Sequence, residues 1–504
     1  MWFEIPIVEI TFDANNFEDR TAYKWVPINK GGAYRRHYGN YEYVINIYDL
    51  WNRQEKVNVS VRRSEPEFYF KKALNWSATT MGGSSFRITN NKTSSTAAPS
   101  LYFKNDDDLY VSLALLNSCI SQVYMDLLNP TVGLKLANVE AVPAINFEKM
   151  AVFLRSSCEN NIALSKEDWD SYEISWDFEQ HPLVKRKELH SLEKCYLTWK
   201  TECENRFLKM KDNEEHINVV ILKEYGLENE VSCEVPEKSI SVHRIFDTKE
   251  DIPVSMDGSY YVRTKRDEIV SLISYSVGCM FGRYSLDKKG IVNAGAPLNV
   301  NEYVSFSVDK DNIIPICDDE YFKDDIVGRF VEFIKIVYGA DSLDDNLTFI
   351  AKALGGKGSP REIIRNYFVN DFYKEHCATY SGTVGKRPIY WLFDAGKNNS
   401  FKALIYMHRY QPDTIARIRT DYVHEQQARY RTAIADLEQR IANTSTGERV
   451  KLKKKLATLQ AQDTEIRTYE EKIHHLADQM ISINLDDGVK KNYAIFQDVL
   501  AKIK

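Results

Sequence analysis

LYVSLALLNSCISQVYMDLL, residues 109–128, is the stretch that organises the N-terminal part of the chain. Its apolar residues recur at the three- and four-residue steps of an amphipathic helix. The helix should end before Asn129 and Pro130, because proline disfavours helical backbone in the residue that precedes it. KLANVEAVPAI, residues 135–145, follows and predicts a strand that closes this region.

The segments upstream of this helix have the composition of β-strands. YEYVINIYDLW (41–51) is rich in β-branched and aromatic residues, and SLYFKND (100–106) predicts a short strand that ends in a turn. MWFEIPIVEITFD (1–13) is apolar but interrupted by glutamates, and it favours a strand rather than a targeting signal. We therefore predict a β-rich first domain in residues 1–150.

Helical patterns dominate the middle of the chain. Residues 187–226 predict charged amphipathic helices that end at Gly226, since glycine is well suited to terminate a helix. A β-hairpin is predicted near 386–407, around Gly396. Residues 151–410 are therefore predicted to form a mainly helical second domain.

Two long charged helices, 413–443 and 448–483, give the clearest signal of the C-terminal region. Their apolar residues follow steps of three, four and seven, which is the spacing of a coiled-coil seam. Ser445 and Glu448 have the spacing of a capping box. We predict an antiparallel coiled-coil hairpin and a terminal helix within residues 411–504, and an α+β fold for the whole chain. The predicted seam residues are Ile415, Ile418, Tyr422, Ile434, Leu437, Ile441, Leu452, Leu456, Leu459, Ile466, Ile473 and Met480.

Composition and charge are those of an ordinary globular protein. The chain has 504 residues, 43% of them hydrophobic and 27% charged, and its net charge is −6. This length predicts more than one domain. The eight cysteines are scattered, which indicates reduced thiols and a cytoplasmic location. The sequence has no apolar run as long as a membrane span, so we expect no membrane partner.

Motifs of catalytic chemistry were sought without success. GGKGS at 355–359 lacks the spacing of a phosphate-binding loop, and we interpret it as a turn between helices. LNPT at 128–131 differs from N-P-P-[YF], the tetrad that holds an amino group for methyl transfer. His474 and His475 lack nearby ligands in sequence and indicate a solvated helix face rather than a metal site. We expect no catalytic, cofactor or metal site in this chain.

A local basic and polar region contrasts with the negative net charge. Residues 51–105 contain nine basic residues and three acidic ones. INKGGAYRRHYGN (28–40) adds basic residues interleaved with aromatic ones, and NWSATTMGGSSFRITNN (75–91) is a polar stretch between predicted strands. A solvated loop surface without a ligand is the alternative interpretation, and Trp76 is expected to anchor the core.

Two kinds of DNA contact are predicted for this region. Long basic side chains are expected on phosphates, whereas short polar side chains and the arginine of 75–91 are expected on base edges. The predicted DNA-contacting residues are Lys30, Tyr34, Arg35, Arg36, Arg62, Arg63, Ser77, Thr79, Thr80, Ser84, Ser85 and Arg87.

Several long segments in chain order resemble PglX, the adenine-specific DNA methyltransferase of BREX phage-defence systems. The resemblance covers essentially the whole chain. The segments that carry it are NKGGAYRRHYGNYEYVIN, NWSATTMGGSSFR, LALLNSCISQVYMDLLNPTVGLKLANVEAVPAI, DWDSYEISWDFEQHPL, SVGCMFGRYSLDKKGI, KRPIYWLFDAGKNNSFKALIYMHRY and DDGVKKNYAIFQDVLAKI.

The resemblance implies a target-recognition and helical region from the C-terminal half of such an enzyme. The family's S-adenosylmethionine site and N-P-P-Y motif lie in the N-terminal half, so this chain alone is expected to be inactive. Residues 113–145 are similar to the framework that closes target-recognition domains, in which the preceding strands and loops enter the major groove. The implied partners are double-stranded DNA, the methyltransferase half, and other BREX proteins or a phage inhibitor.

Two departures leave the DNA sequence that is read undetermined. IYDLW follows YVIN where the family has an acidic, glycine-containing stretch, and ITNNKTSSTAAPS is idiosyncratic. A protein-interaction scaffold with only weak DNA binding is the alternative function, favoured by the negative net charge and the long hairpin.

Overall fold

The chain forms two compact units. The computed structural model describes residues 1–12, 24–46, 68–79, 83–129, 131–144, 146–382, 385–443 and 445–503. Unit 1 consists of Met1–Trp2, Ile7–Arg186 and Lys194–Glu268, and unit 2 consists of Phe3–Pro6, Lys187–Glu193 and Ile269–Lys504. Helices and small sheets occur in both units, which confirms the predicted α+β class. This grouping joins most of residues 151–268 to the β-rich part, whereas the sequence prediction assigned them to the helical domain.

Short strands build two three-stranded sheets in unit 1. The strands are β1 (Trp25–Asn29), β2 (Tyr43–Asn46), β3 (Ala73–Trp76), β4 (Phe86–Thr89), β5 (Thr93–Ser94) and β6 (Ser100–Leu101). The first sheet has the order β2-β1-β5, with β1 antiparallel to β2 and parallel to β5. The second sheet has the order β4-β3-β6 and is antiparallel throughout. Strands β7 (Arg244–Phe246) and β8 (Val262–Thr264) form a separate parallel pair.

Helices cover the second sheet and form the main core of unit 1. They are α1 (Asp106–Asn117), α2 (Cys119–Leu128), α3 (Leu136–Glu140), α4 (Ala151–Trp169) and α5 (Leu192–Tyr225), whose first two residues belong to unit 2. Trp76 of β3 is fully buried in this core with Leu113, Leu154 and Ile221. Its indole N–H donates to the carbonyl of Leu134 at 3.1 Å, which explains how a tryptophan can be completely buried. The predicted role of Trp76 as a core anchor is therefore confirmed.

The helix predicted over 109–128 is two helices, α1 and α2, bent by 69° at Ser118. Ser118 has extended backbone, and its hydroxyl accepts from the Ser121 N–H as an N-cap of α2. Asn117 uses its side-chain amide to pair with both backbone groups of Phe86, at 2.9 and 2.8 Å. Periodicity did not reveal the bend, because the apolar spacing continues through the cap. The end at Leu128, before Asn129, is as predicted.

Two predicted strands were wrong. Residues 135–145 contain the short helix α3, whose first turn is closed by the Asn138 side chain accepting from the Lys135 N–H at 3.1 Å. Residues 1–12 form 3₁₀ turns at Trp2–Glu4 and Ile7–Glu9, with a single bridge from Ile10 to β1. In neither segment does a neighbouring strand offer a full ladder, so the local turn geometry prevails over the strand-like composition.

The described helices were compared with the length and apolar composition that a membrane-spanning helix requires. Among the described helices, none is by itself long and apolar enough to cross a membrane. Helices α1 and α2 would meet the length and composition required only if they were counted together.

Unit 2 combines helices with a central antiparallel sheet. Its helices are α6 (Lys265–Met280, beginning in unit 1), α7 (Ile326–Tyr338), α8 (Leu343–Leu354), α9 (Pro360–Asn370), α10 (Phe372–Thr379), α11 (Thr414–Arg417), α12 (His424–Ala442), α13 (Thr446–Ala477) and α14 (Gly488–Ile495). Its strands are β9 (Ile314–Pro315), β10 (Ser381–Gly382), β11 (Gly385–Lys386), β12 (Tyr390–Asp394) and β13 (Lys402–Tyr406). The order β12-β13-β9, with β12 antiparallel to β13, confirms the hairpin predicted near 386–407.

Helices α12 and α13 form a helical hairpin, but the coiled-coil prediction is not confirmed. Ile466 and Ile473 of the predicted seam are fully buried in the core of unit 2, together with Trp391 and Phe393 of β12. Met480, the last predicted seam residue, lies beyond the end of α13 and is 51% exposed. One half of the apolar stripe therefore packs on a sheet rather than on a partner helix alone.

Glu465 of α13 fixes the turn between β12 and β13. Its carboxylate accepts from the N–H of Asn398 at 2.9 Å, the N–H of Ser400 at 3.2 Å and the hydroxyl of Ser400 at 2.7 Å. The side chain of Gln462 donates to the Asn398 carbonyl at 3.0 Å. The helix therefore supplies the hydrogen bonds that this turn cannot make within itself.

Replacing Glu465 with Ala should destabilise the protein by about 2 kcal/mol, because it leaves these N–H groups without their charged acceptor. Glu471→Ala, at an exposed position of the same helix, is the matched control and should change stability by less than about 0.5 kcal/mol. Urea unfolding of both variants measures the difference. Equal stabilities would show that the Glu465 contacts do not hold the turn.

Candidate nucleic-acid interface

The two segments predicted to contact DNA pack against each other in unit 1. The His37 N–H donates to the Phe86 carbonyl, and the Ile88 N–H donates to the His37 carbonyl, both at 2.9 Å. His37 thereby bridges β4 opposite Arg87. The segment 28–40 and the β3–β4 hairpin are consequently one folded substructure.

Arg36 and His37 are buried and share one carboxylate. Arg36 Nη1 lies 2.7 Å from Glu214, and His37 Nε2 lies 2.8 Å from the other oxygen of the same group. Burial alone would raise the pKa of Glu214, but Arg36 and His37 outweigh it and hold that pKa below its usual value. Arg36 therefore contributes to an internal ion pair and is not presented to solvent.

Arg35 is buried between aromatic rings beside a second carboxylate. Its guanidinium lies 4.8 Å from the centroid of the Trp169 ring and 4.9 Å from that of Tyr261. Asp168 lies 3.5 Å away and also accepts from the backbone N–H of His243 at 2.8 Å. Burial acts to raise the pKa of Asp168, but His243 and Arg35 hold it well below its usual range.

Arg87 is buried, and none of the described carboxylates forms an ion pair with it. Its side chain is 1% exposed, and its Nη1 atom has no hydrogen-bond partner in the structure. Burial lowers the pKa of Arg87 to about 10, with Arg35 adding repulsion and Tyr41 and Tyr261 acting in the opposite direction. The guanidinium therefore has no surface to offer a base edge in this conformation, and its predicted role in base contact gains no support from its position.

The remaining predicted contacts divide by exposure. Ser77 donates to the Gly32 carbonyl at 3.1 Å, Ser84 contacts Gln122, and Ser85 accepts from the Arg35 N–H at 3.3 Å. These serines are buried and tie the loops together. The residues outside the described part of the chain are Arg62, Arg63 and Thr80; the exposed ones are Lys30 and Thr79; Tyr34 is half-buried.

Three loops, 30–33, 77–79 and 95–97, lie side by side and form a surface that we call the loop edge. Ser77 joins the first loop to the second, and the Ala78 N–H donates to the Ala97 carbonyl at 3.0 Å. Gly31 has φ +79°, and a Cβ there would lie 3.0 Å from the Ala97 carbonyl oxygen, so the loops approach closely only because this residue is glycine. The exposed side chains of the loop edge include Lys30, Thr79 and Thr96.

Sequence reasoning missed the acidic partners of the buried arginines. Asp168 lies in DWDSYEISWDF, a segment quoted for its resemblance but not for its charge. Glu214 lies among several charged residues of α5, 178 residues from Arg36, and nothing local distinguishes it. Aromatic residues alternate with the arginines in INKGGAYRRHYGN, and this mixture was the available sequence signal that the arginines are internal.

The described residues offer no recognisable S-adenosylmethionine site. Between their named strands, parallel pairing is limited to β1 with β5 and β7 with β8, and neither pair leads through a glycine-rich turn into a helix. The glycines of 355–359 form a turn in which Ser359 caps α9 and Glu362 completes a capping box, as expected for a helix connection. We assign no cofactor-binding residue to this chain.

A carboxylate cluster in unit 2 is the one group in the described residues with the spacing of a cation site. Ligand atoms of Asp309, Asp311 and Asp324 lie within 4.8 Å of one another. The Tyr422 hydroxyl donates to Asp311 at 3.0 Å and to Asp324 at 2.6 Å, and Arg417 lies 3.7 Å from Asp311. Protein groups already compensate part of this charge, and we assign no metal to it.

The stability losses caused by two substitutions should distinguish a buried arginine that has a carboxylate partner from one that has none among the described residues. Arg36→Met should cost about 3–5 kcal/mol, because it leaves the buried Glu214 with His37 alone. Arg87→Met should change stability by no more than about 1 kcal/mol, because no carboxylate loses its partner. Chemical unfolding measures both, and a larger loss for Arg87→Met would contradict the internal ion-pair assignment.

The Asp309 cluster predicts a pH dependence of stability. Burial, with Asp311 nearby, raises the pKa of Asp309 to about 7. Because the folded-state pKa lies above the unfolded one, its stabilising effect is fully present below the unfolded-state pKa of about 4 and is lost progressively as pH rises to about 7. Asp309→Asn should reduce the loss of stability between pH 5 and pH 8 by about 1–3 kcal/mol, measured by urea unfolding at both values. Asp498→Asn, at an exposed site, should leave that loss unchanged, and the same loss in both variants would refute the prediction.

Comparison with known proteins was made for the whole sequence. No family model matches it. The adenine-specific methyltransferase PglX of Lacticaseibacillus casei (strain Zhang) is 36% identical over 513 residues, which cover 98% of this chain and 40% of the relative. The adenine-specific methyltransferase BrxX of Escherichia coli O9:H4 (strain HS) is 34% identical over 498 residues, covering 95% of this chain and 40% of the relative.

The chain therefore spans less than half the length of these curated relatives while matching them along nearly all of its own. The resemblance inferred from its motifs is confirmed: the chain is related, over a region equal to 40% of their length, to the PglX and BrxX adenine-specific methyltransferases.

Proposed function

We propose that this chain is the DNA-recognition region of a BREX-type adenine-specific DNA methyltransferase. The similarity to two such enzymes along 95–98% of the chain is the observation that carries the proposal. Because the match covers only 40% of each relative, methyl transfer and the binding of S-adenosylmethionine are attributed to a part of the protein outside this chain.

The loop edge of unit 1 is the surface that we propose reads DNA. It presents a lysine, threonine hydroxyls and closely packed loop backbone, and these are groups that can reach phosphates and base edges. The glycines of the 30–33 loop allow backbone to approach a ligand without a side chain in between.

The buried arginines support this surface instead of contacting DNA. Arg35 and Arg36 connect the segment 34–37 to α4 and α5 through Asp168 and Glu214. A loop fixed in this way loses little conformational freedom when it binds, which favours a well-defined reading geometry. We therefore remove Arg35, Arg36 and Arg87 from the proposed DNA contacts. Lys30 and Thr79 remain proposed contacts.

Selection of duplexes from a random pool with the 504-residue chain tests the proposal. The chain should enrich one short motif. Lys30→Ala should weaken binding to all duplexes alike and lower the magnitude of the log–log salt slope by about one, since it removes one phosphate contact. Thr79→Val should lower the preference at one base pair, by about 1–3 kcal/mol for a direct base contact.

Lys209→Ala and Thr201→Val, both at exposed positions of α5, are the matched controls and should leave the motif and salt slope unchanged. Binding to DNA without any enriched motif would refute the recognition function and favour the scaffold alternative. Enrichment of a motif, with a salt slope unchanged in Lys30→Ala and a base-pair preference unchanged in Thr79→Val, would retain the function but reject the loop edge as its site.

A further inference from the structure

We propose that the end of the helical hairpin in unit 2 is a second, sequence-independent contact surface for the phosphate backbone of duplex DNA. This hairpin end comprises the described residues from 431 to 455, which are the distal part of α12 and the first turns of α13. The inference rests on the proposed function, because it assigns to DNA a surface outside the loop edge.

Positive charge is concentrated at the hairpin end. Residues 431–455 contain seven basic and three acidic residues, an excess of four positive charges in a chain whose net charge is −6. Lys451, Lys453, Lys454 and Lys455 are all exposed and have no carboxylate within ion-pair distance in the structure. These four lysines are therefore free to attract an external anion.

The fold does not need this charge. Lys451 is followed by lysines three and four residues later on the same helix face, and like charges at that spacing destabilise a helix. Leu437 and Leu452 are buried at this level of the hairpin and hold the two helices together without any contribution from the lysines.

The chemistry of the surface fits a nucleic acid better than a protein. Protein interfaces are enriched in aromatic residues and depleted of lysine, and the sequence from 431 to 460 has no aromatic residue. Phosphate contacts are made by lysine and arginine as point charges and need no apolar anchor.

Charge density agrees with this assignment. Residues 451–455 span about 6 Å of helix axis, at about 1.5 Å per residue. The same length of duplex carries about three to four phosphates, at one charge per about 1.7 Å. Lys451, Lys454 and Lys455 share one helix face, and three charges over this distance approach the backbone charge that they would neutralise.

The quadruple variant K451Q/K453Q/K454Q/K455Q, in the full chain, tests the inference. Salt-titrated binding to a random-sequence duplex should show the magnitude of the log–log slope reduced by about three, at about 0.9 for each of the three lysines that share a helix face. The preference for the selected motif over random DNA should remain unchanged, because the loop edge is intact. Circular dichroism should show helicity and a melting temperature that are retained or slightly raised, since all four side chains are exposed and the substitution removes repulsion between them.

The matched control is K335Q/K352Q/K357Q/K374Q, which removes four exposed lysines elsewhere in unit 2 and should leave the slope unchanged. Equal slopes for wild type and the hairpin variant, or equal reductions in both quadruple variants, would overturn the inference. A reduced base-pair preference in Thr79→Val and a reduced salt slope in Lys30→Ala, together with an unchanged slope in the hairpin variant, would reject the hairpin contact while leaving the proposed function in place.

Discussion

Glu214 accepts hydrogen bonds from both Arg36 and His37, and this buried group determines where the segment 28–40 lies in unit 1. Arg36 and Glu214 are both removed from water, and loss of either would leave the other as an uncompensated buried charge. With Arg36 held on α5, the adjacent His37 backbone pairs with β4, and Ser85 reaches Arg35. The relative positions of the three loops in the loop edge therefore depend on the buried contact of Glu214 with Arg36 and His37.

This arrangement changes the interpretation of a basic cluster. Arginines near glycines and strand edges suggest phosphate contacts when the sequence is considered alone, yet Arg35, Arg36 and Arg87 are internal. In the described part of the chain, the surface that remains available consists mainly of backbone, threonine hydroxyls and Lys30. Its low charge is consistent with a division of tasks in which sequence is read by unit 1 and general attraction to phosphate comes from the lysines of the hairpin end.

Local signals predicted much of the fold. The helix stop before Asn129, the end of α5 before Gly226 and the β12–β13 hairpin follow from periodicity and turn residues. The bend at Ser118 and the helix α3 were missed, because each depends on side-chain capping that periodicity does not detect. The predicted coiled-coil seam located the two helices but not all of their packing partners. Part of its apolar stripe packs against a sheet, and the position of that sheet depends on residues distant in sequence. For the site, composition indicated the right segments, but the partners of the arginines, 133 residues away for Asp168 and 178 for Glu214, carry no local signature.

Exchange of unit 1 in an active relative tests the central claim most directly. Residues 24–268 of this chain would replace the corresponding residues of the PglX methyltransferase from Lacticaseibacillus casei, and methylated adenines would be mapped by sequencing in cells that express the chimera. If unit 1 reads the DNA, the chimera should methylate a different motif from that of the parent, and this motif should match the one enriched by the isolated 504-residue chain. An active chimera that still methylates the parental motif would contradict the account.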